Sequence, residues 1–187
     1  SQLGPILCGE ADALEGGPPV GAMIIQNTNP VVVCPESAKV RDGFLRDDLF
    51  VCVHEQFMTE TAAMADIVLP GTTFLGHGDL YQAGGHTHFY VTKRVIEPLG
   101  ECRPNHDVLC GLAERLGADH PGFRLSCWEM IDQTLANSGL PDAETLHKER
   151  WTDVAPGFDK THFVKGFGHA DGRFRFKPKW AEIGASH

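Results

Sequence analysis

The sequence predicts an α/β protein in which helices flank a parallel sheet and an irregular C-terminal extension follows. Three short apolar runs, at residues 20–25, 49–53 and 67–69, alternate with segments of helical spacing in the first seventy residues. Alternation of strand and helix is typical of a parallel sheet that is covered by helices. Because the apolar runs are continuous, we expect strands that are buried on both faces of the sheet.

Helices are predicted before and between these strands. The segment from Leu3 to Leu14 has helical spacing and ends at a Gly-Gly-Pro-Pro run, which breaks helices. An amphipathic helix is predicted from Ser37 to Leu45, between the first two strands. A short helix from Thr59 to Met64, capped by Thr59 or by Thr61, is predicted before the third strand.

The pattern changes after residue 70. Residues 71–85 are rich in glycine and predict irregular structure, whereas residues 88–91 predict a strand. A helix is predicted from Asp107 to Leu116, with Asn105 as its N-cap and Gly117 at its end.

The C-terminal part is predicted to be helical and then irregular. Helices are expected from Trp128 to Leu135 and from Ala143 to Trp151. The last thirty-five residues carry five phenylalanines and Trp180 among glycines and basic residues, which predicts an irregular tail lying against another surface. We therefore divide the chain into an α/β segment, residues 1–117, and an extension, residues 118–187.

Composition excludes several classes of partner. The formal net charge of −9 argues against nucleic acid and against an anionic membrane surface, because both require a basic face. The longest apolar runs are far too short to span a bilayer, so we expect no membrane insertion. The six cysteines occur singly, without a C-x-x-C pair, and this suits a reducing cytoplasm better than a disulfide framework.

Polar residues follow each of the three predicted strands. They are the N-T-N-P run at residues 27–30, the H-E-Q run at residues 54–56 and the G-T-T run at residues 71–73. Since parallel strands end at the same edge of a sheet, these loops are expected to border one crevice. The sequence thus indicates a site for a polar, nucleotide-like ligand, with ordinary solvated loops as the alternative.

Histidines offer a different interpretation. His86 and His88 are separated by one residue, with His77 upstream, and two such rings on one face of a strand suit zinc. A small zinc hydrolase is therefore a candidate. A hydrogen-bonding or core role for these histidines is the alternative we favour, since no further ligand cluster has a recognisable spacing.

Four motifs together resemble a known family. They are N-T-N-P at residues 27–30, H-E-Q-F-M-T-E-T at residues 54–61, A-D-I-V-L-P at residues 65–70 and the E-P-L-G-E segment that begins at Glu97. In this order and spacing they resemble the molybdopterin (bis-MGD) oxidoreductases of the dimethyl sulfoxide reductase superfamily. The resemblance covers roughly residues 3–117.

The resemblance implies a Rossmann-like sheet that forms part of a larger dinucleotide-binding lobe for molybdopterin guanine dinucleotide, with molybdenum or tungsten. It implies seven cofactor-binding residues at strand ends and at a helix start, namely Asn29, His54, Glu55, Gln56, Gly71, Thr72 and Asn105. The implied contacts are with the guanine, the guanosine or pyrophosphate part and the surrounding nucleotide pocket. No metal ligand and no catalytic residue is assigned within the chain.

The resemblance also implies an internal segment of a longer catalytic subunit, which fits a chain that opens with Ser1 instead of Met. The parent would catalyse oxygen-atom or two-electron transfer, and its remainder would be the main partner and would include a cap domain after residue 187. We expect the chain alone to lack the cofactor, to show no turnover and to self-associate through exposed apolar surface. The alternative is a stand-alone, non-catalytic nucleotide-binding or interaction module.

Overall fold

The parallel sheet predicted from the first seventy residues is present. The computed structural model describes residues 2–177, so the prediction for Trp180 lies outside the described residues. Three strands, β1 (Ala22–Gln26), β2 (Phe50–Glu55) and β3 (Ile67–Pro70), pair in parallel in the order β1-β2-β3. The predicted α/β fold class is therefore confirmed, and all three strands end at one edge of the sheet.

Short helices connect the parallel strands. Helices α3 (Pro30–Val33) and α4 (Ser37–Phe44) lie between β1 and β2. A single 3-10 turn, Ala62–Met64, replaces the longer helix predicted before β3. The Thr59 hydroxyl accepts a hydrogen bond from the Ala62 amide at 3.1 Å, which is the capping role expected at that position.

The N-terminal helix is split, contrary to the prediction. Helix α1 (Leu3–Leu7) and helix α2 (Ala11–Leu14) replace the single predicted helix. Gly9 adopts a positive φ of 74° between them, a left-handed conformation that ends helices. The apolar spacing continues across this break, which is why the pattern alone indicated one helix.

A second unit contains an antiparallel sheet and most of the longer helices. Its strands β4 (Asp79–Gln82), β5 (His88–Thr92) and β6 (Thr152–Asp153) are paired in the order β4-β5-β6. Its helices are α5 (Asn105–Leu116), α6 (Cys127–Asn137), α7 (Ala143–Glu149) and α8 (Phe158–Thr161), with a 3-10 turn at Pro121–Arg124. The strand β5 and helices α5 to α7 were predicted, whereas β4, β6 and α8 fall in segments that had been predicted to be irregular.

Helix caps explain the bounds of the predicted helices. Ser126 and Glu129 form a reciprocal capping box at the start of α6, and Asp142 accepts from the Thr145 amide at the start of α7. Gly117 ends α5 with a positive φ of 66°, as expected. Asn105 is not the N-cap that the sequence predicted, because the helix already includes it.

Two separate apolar cores stabilise the protein. The first core lies on one face of the parallel sheet and comprises Leu7, Ile25, Val31, Val40, Phe44, Leu49, Val51, Val53 and Ala62. The second core joins β5 to α6 and α7 and comprises Val91, Ile131, Leu135, Ala143 and Leu146.

The opposite face of the parallel sheet is bare away from the carboxyl end of β2, where His54 is buried, so the prediction that its strands are buried on both faces is wrong. Ile24, Phe50 and Ile67 point to this face and are 56%, 47% and 45% exposed. A groove of about 450 Å³ separates the exposed edge of β3 from α5, with Leu69 and Val108 among its lining residues. The apolar runs do form strands. However, an apolar run does not show whether other elements cover the second face of the sheet.

The C-terminal segment exposes aromatic side chains. The rings of Phe163 and Phe167 stack at 4.6 Å, and Phe174 continues the row at 5.1 Å from Phe167. Phe163, Phe174 and Phe176 are each more than half exposed. This region thus presents apolar surface, and the prediction that the tail lies against another surface stays a prediction.

Two further findings concern membrane-spanning helices and the cysteines. Within residues 2–177, no helix combines the length and the apolar character needed to cross a bilayer. All six cysteines, from Cys8 to Cys127, are free thiols. Burial raises the pKa of the Cys52 thiol, so this group stays neutral and behaves as a small apolar side chain.

Gly43 provides a test of how closely α4 packs against α1. A Cβ at Gly43 would lie 2.4 Å from the Leu7 Cβ, whereas a Cβ at Gly111 in α5 would meet only the mobile end of Arg115 at 3.4 Å. Gly43→Ala should therefore lower the free energy of unfolding by about 1–3 kcal/mol through overpacking. Gly111→Ala, the matched control, should leave it unchanged or raise it by up to ~1 kcal/mol. Urea unfolding of both variants measures this, and equal effects would contradict the packing.

Candidate functional site

The candidate site is the carboxyl edge of the parallel sheet, the region in which open α/β proteins bind ligands and which we call the crevice. Its first wall is the loop after β1, where Asn27 has a positive φ of 50° and its amide donates to the His54 carbonyl at 3.0 Å. Asparagine tolerates this left-handed conformation better than most residues. The conformation turns the chain away from the sheet as soon as β1 ends.

The second wall is the start of α5. The Asn27 side-chain amide donates to the Asn105 side-chain oxygen at 3.1 Å, although 78 positions separate the two residues. Both asparagines are exposed. The contact places a strand-end loop and a helix start beside each other, with amide groups that still have unused donors and acceptors.

Asn29 connects the loop after β1 to the loop before β3. Its side-chain oxygen accepts from the Thr61 hydroxyl at 2.7 Å, and its nitrogen donates to the Glu60 carboxylate at 3.0 Å. Thr61 is fully buried and its hydroxyl oxygen also accepts from the Val31 amide at 3.1 Å. The T-E-T motif therefore holds the N-T-N-P loop in place.

His54, at the end of β2, is fully buried. Gln26 Nε2 approaches its Nδ1 at 3.0 Å, and the Arg103 carbonyl oxygen lies 3.1 Å from its Nε2. Both ring nitrogens are thus used within the protein. Sequence reasoning had no signal for Arg103, which is 49 positions away.

Gly71 and Thr72 are buried as well. The Gly71 amide donates to the Glu55 carbonyl at 2.9 Å, and the Thr72 amide donates to the Arg103 carbonyl at 3.2 Å. The Thr72 hydroxyl and His77 Nδ1 form a hydrogen bond at 2.7 Å. The polar groups of these residues therefore form hydrogen bonds within the protein, next to the end of β3.

Glu55 and Gln56 are the most accessible of the residues predicted after β2. Glu55 is half-buried, and one of its carboxylate oxygens accepts a hydrogen bond from the backbone amide of Gln56 at 2.7 Å. The Gln56 residue is exposed. The next two side chains, Phe57 and Met58, are 70% and 71% exposed. This tip combines an acceptor, a side-chain amide and apolar surface at the mouth of the crevice.

The structure thus divides the seven predicted site residues into two groups. Accessible polar side chains are those of Glu55, Gln56 and Asn105, whereas the buried or bridging residues are Asn29, His54, Gly71 and Thr72. The sequence placed Asn27 in the N-T-N-P run expected to border the crevice, but Asn27 is not among the seven predicted site residues.

The histidines do not form a zinc site. The rings of His86 and His88 lie 5.2 Å apart, and His88 packs against Trp151, whereas His77 bonds to Thr72. Across residues 2–177, no group of three or more His, Cys, Asp or Glu side chains could hold a metal ion. The zinc hydrolase interpretation therefore has no ligand set in this part of the chain.

The sequence around these residues matches the model of an enzyme family. The family model for molybdopterin oxidoreductase matches residues 12–115, a stretch that includes all seven predicted site residues. The chain belongs to the molybdopterin oxidoreductase family, as the four sequence motifs indicated. The family implies a molybdopterin cofactor with molybdenum or tungsten.

Particular relatives agree with this assignment. The chain is 42% identical over 141 residues to the Probable oxidoreductase YoaE of Bacillus subtilis, covering 75% of this chain and 20% of that protein. It is 43% identical over 138 residues to the dimethyl sulfoxide/trimethylamine N-oxide reductase of Cereibacter sphaeroides, covering 67% and 16%. The chain thus spans about a fifth of the length of the curated relatives it matches.

A solved structure shares the fold. Acetylene hydratase from Pelobacter acetylenicus superposes with a TM-score of 0.69 at 24% identity, covering 96% of this chain and 24% of that one. Almost all of the described architecture therefore occurs within a larger protein.

The bond between Asn29 and Glu60 gives a test of the loop geometry. The donated hydrogen bond from Asn29 lowers the pKa of the Glu60 carboxyl. Asn29→Ala should raise that pKa toward its ordinary value, as measured by carboxyl-carbon NMR titration. Glu129, whose pKa is lowered by Ser126, is the internal reference and should not change.

The sign of the pH dependence follows from the direction of this shift. A carboxyl group whose pKa is lowered on folding stabilises the folded state at pH values above the ordinary pKa of a glutamate. This contribution is lost as the pH falls through the lowered pKa. Acid should therefore weaken the contact in the wild type, and the Asn29→Ala variant should show a smaller pH dependence, because a backbone hydrogen bond and the charge of Arg41 still lower the Glu60 pKa. An unchanged Glu60 pKa in the variant would show that the two side chains do not interact in solution.

Proposed function

We propose that this chain is a cofactor-binding segment of a molybdenum or tungsten oxidoreductase that uses molybdopterin guanine dinucleotide. The nucleotide end of the cofactor would lie in the crevice at the carboxyl edge of the parallel sheet. The observation that carries this proposal is the contact between Asn27 and Asn105 at that edge, beside the end of β2 that carries Glu55 and Gln56, inside the segment that matches the family.

The donor set of the crevice suits a guanine nucleotide. A carboxylate such as Glu55 accepts hydrogen bonds from the N–H groups of a guanine edge or from ribose hydroxyls. The amides of Gln56 and Asn105 offer both donors and acceptors for the remaining positions. In open α/β sheets, ligands bind outside the carboxyl ends of the strands, which is where these groups lie.

The other predicted residues would support this site from behind. Asn29 ties the loop after β1 to the loop before β3, and Gly71 and Thr72 close the edge of β3. They would act on the ligand through the loops that they hold. We assign direct contact to the accessible residues and support to the buried ones.

The bound metal centre would supply the oxygen-atom or two-electron transfer chemistry, while the protein orients the cofactor. No residue of this chain is assigned as a metal ligand or as a catalytic group, so turnover would depend on other parts of the enzyme. We propose residues 1–117 as the binding segment and residues 118–187 as its extension. The second core joins the two parts, because Val91 packs with Leu135.

Other segments of the parent polypeptide are the partners we propose for the bare sheet face. Parallel sheets in α/β proteins are normally covered on both faces, whereas here Ile24, Phe50 and Ile67 are about half exposed. The six free cysteines favour the cytoplasm as the location of the protein.

Nucleotide binding tests the proposed function. Isothermal titration with GMP should show binding to the wild-type chain, with weaker binding of AMP. Glu55→Gln removes the charge from the acceptor and should weaken GMP binding by about tenfold, because hydrogen bonds to charged groups contribute ~1.5–3 kcal/mol. Glu149→Gln, an exposed change on α7, is the control and should bind as the wild type does. Absence of GMP binding, or equal binding of AMP, would contradict the proposal.

Self-association is the expected behaviour of the chain when it is isolated. Apolar side chains on the bare face should pair with a second copy, which sedimentation analysis would detect as a dimer or larger species. Ile24→Lys places a charge on that face and should shift the population toward the monomer. Val33→Lys, at a site that is 66% exposed on α3, is the matched control and should not. A wild-type chain that stays monomeric at high concentration would contradict the expectation.

A further inference from the structure

His54 is a titratable side chain that the proposed contacts with the nucleotide do not use. It is fully buried at the carboxyl end of β2, where its neighbours in the sheet register are Gln26 and Leu69. Its two ring nitrogens face different partners, Gln26 on one side and Arg103 on the other. The ring therefore lies between the parallel sheet and the segment that leads into α5.

The partners fix where the ring proton lies. The Gln26 amide nitrogen is a donor, so Nδ1 accepts at 3.0 Å, and the Arg103 carbonyl is an acceptor, so Nε2–H donates at 3.1 Å. A neutral ring with its proton on Nε2 satisfies both contacts. A ligand would find no unused polar atom on this side chain.

The Arg103 carbonyl is the point at which several elements meet. It also accepts from the Thr72 amide at 3.2 Å, and the Arg103 amide donates to the Pro70 carbonyl at 3.1 Å. Arg103 and Gly71 thus form a parallel bridge beside the end of β3. Two residues after Arg103, Asn105 bonds to Asn27 across the crevice.

Close packing supports the same arrangement. A Cβ at Gly71 would lie 3.4 Å from His54 Nε2 and 3.4 Å from the Glu55 carbonyl carbon. The backbone at Gly71 therefore passes directly against the ring and against the residue that carries the proposed acceptor. The ring is therefore in contact both with the backbone of Gly71 and with the carbonyl of Arg103.

We propose that His54 is a positioning residue that acts through Arg103. Its Nε2–H holds the Arg103 carbonyl and so sets the place of Asn105 relative to Asn27 and Glu55. The resemblance had implied that His54 lines the nucleotide pocket, and the burial of its ring replaces that contact with an indirect role. The expected effect of His54 on binding rests on the proposed function. The geometry inferred for His54, Arg103 and Asn105 does not.

Two substitutions of His54 distinguish the role of Nε2 from that of Nδ1. In His54→Gln the side-chain amide reaches the position of Nε2 and keeps a donor for the Arg103 carbonyl. In His54→Asn the shorter amide reaches only the position of Nδ1, so that donor is lost. We expect His54→Asn to weaken GMP binding about tenfold or more, and His54→Gln to remain within about threefold of the wild type, at a temperature where each variant is folded.

A stability control distinguishes positioning from general loosening. Leu135→Ala leaves a cavity in the second core, away from the crevice, and should lower the unfolding temperature without changing GMP affinity. If His54→Asn binds GMP as the wild type does, or if His54→Gln loses as much affinity as His54→Asn, the proposal is overturned.

NMR of the wild-type chain tests the geometry without any ligand. The ¹⁵N signals of His54 should show a proton on Nε2 and none on Nδ1, and the side-chain amide signals of Asn27 and Asn105 should shift in His54→Asn but not in His54→Gln. A proton on Nδ1, or unshifted amide signals, would overturn the inference. A wild-type chain that fails to bind GMP yet passes this test would overturn the proposed function alone.

Discussion

Alternation of side chains along β2 is the constraint on which the rest of the structure depends. Because successive residues of a strand point to opposite faces, Val53 enters the first core while His54 points to the other face. A slip of one residue would bury the imidazole among aliphatic side chains, away from Gln26 and Arg103, and would put a valine where those two polar partners lie. The same alternation brings Glu55 to the end of the strand, so core packing and the geometry of the crevice are set by one register.

The sequence predicted the parallel sheet and the family well because both depend on local patterns. Continuous apolar runs marked β1 to β3, and the match of residues 12–115 confirmed the resemblance that the motifs carried. Local patterns could not show how each polar side chain is used. The contacts between Asn29 and Thr61 and between His54 and Arg103 span 32 and 49 positions, so only the fold determines them. The short strands β4 and β6 were missed for a similar reason, since pairing rather than propensity defines them.

The family assignment and the geometry support a division of labour between scaffold and chemistry. Relatives of this chain include proteins named as oxidoreductases and as dimethyl sulfoxide/trimethylamine N-oxide reductases, and the shared fold extends to a protein named acetylene hydratase. A segment shared by proteins with such different names fits the cofactor-binding role that we propose for this chain. The network behind the crevice fits that role because it consists mainly of contacts within the protein.

The two cores also differ in the order in which synthesis can complete them. Every residue of the first core lies between Leu7 and Ala62, so this core can form early, while the ribosome is still adding later segments. The second core needs residues as late as Leu146 to close around Val91. During that interval the nascent chain would carry a folded sheet with one apolar face open to chaperones. A segment that is synthesised later and covers this face would therefore dock onto a surface that is already formed.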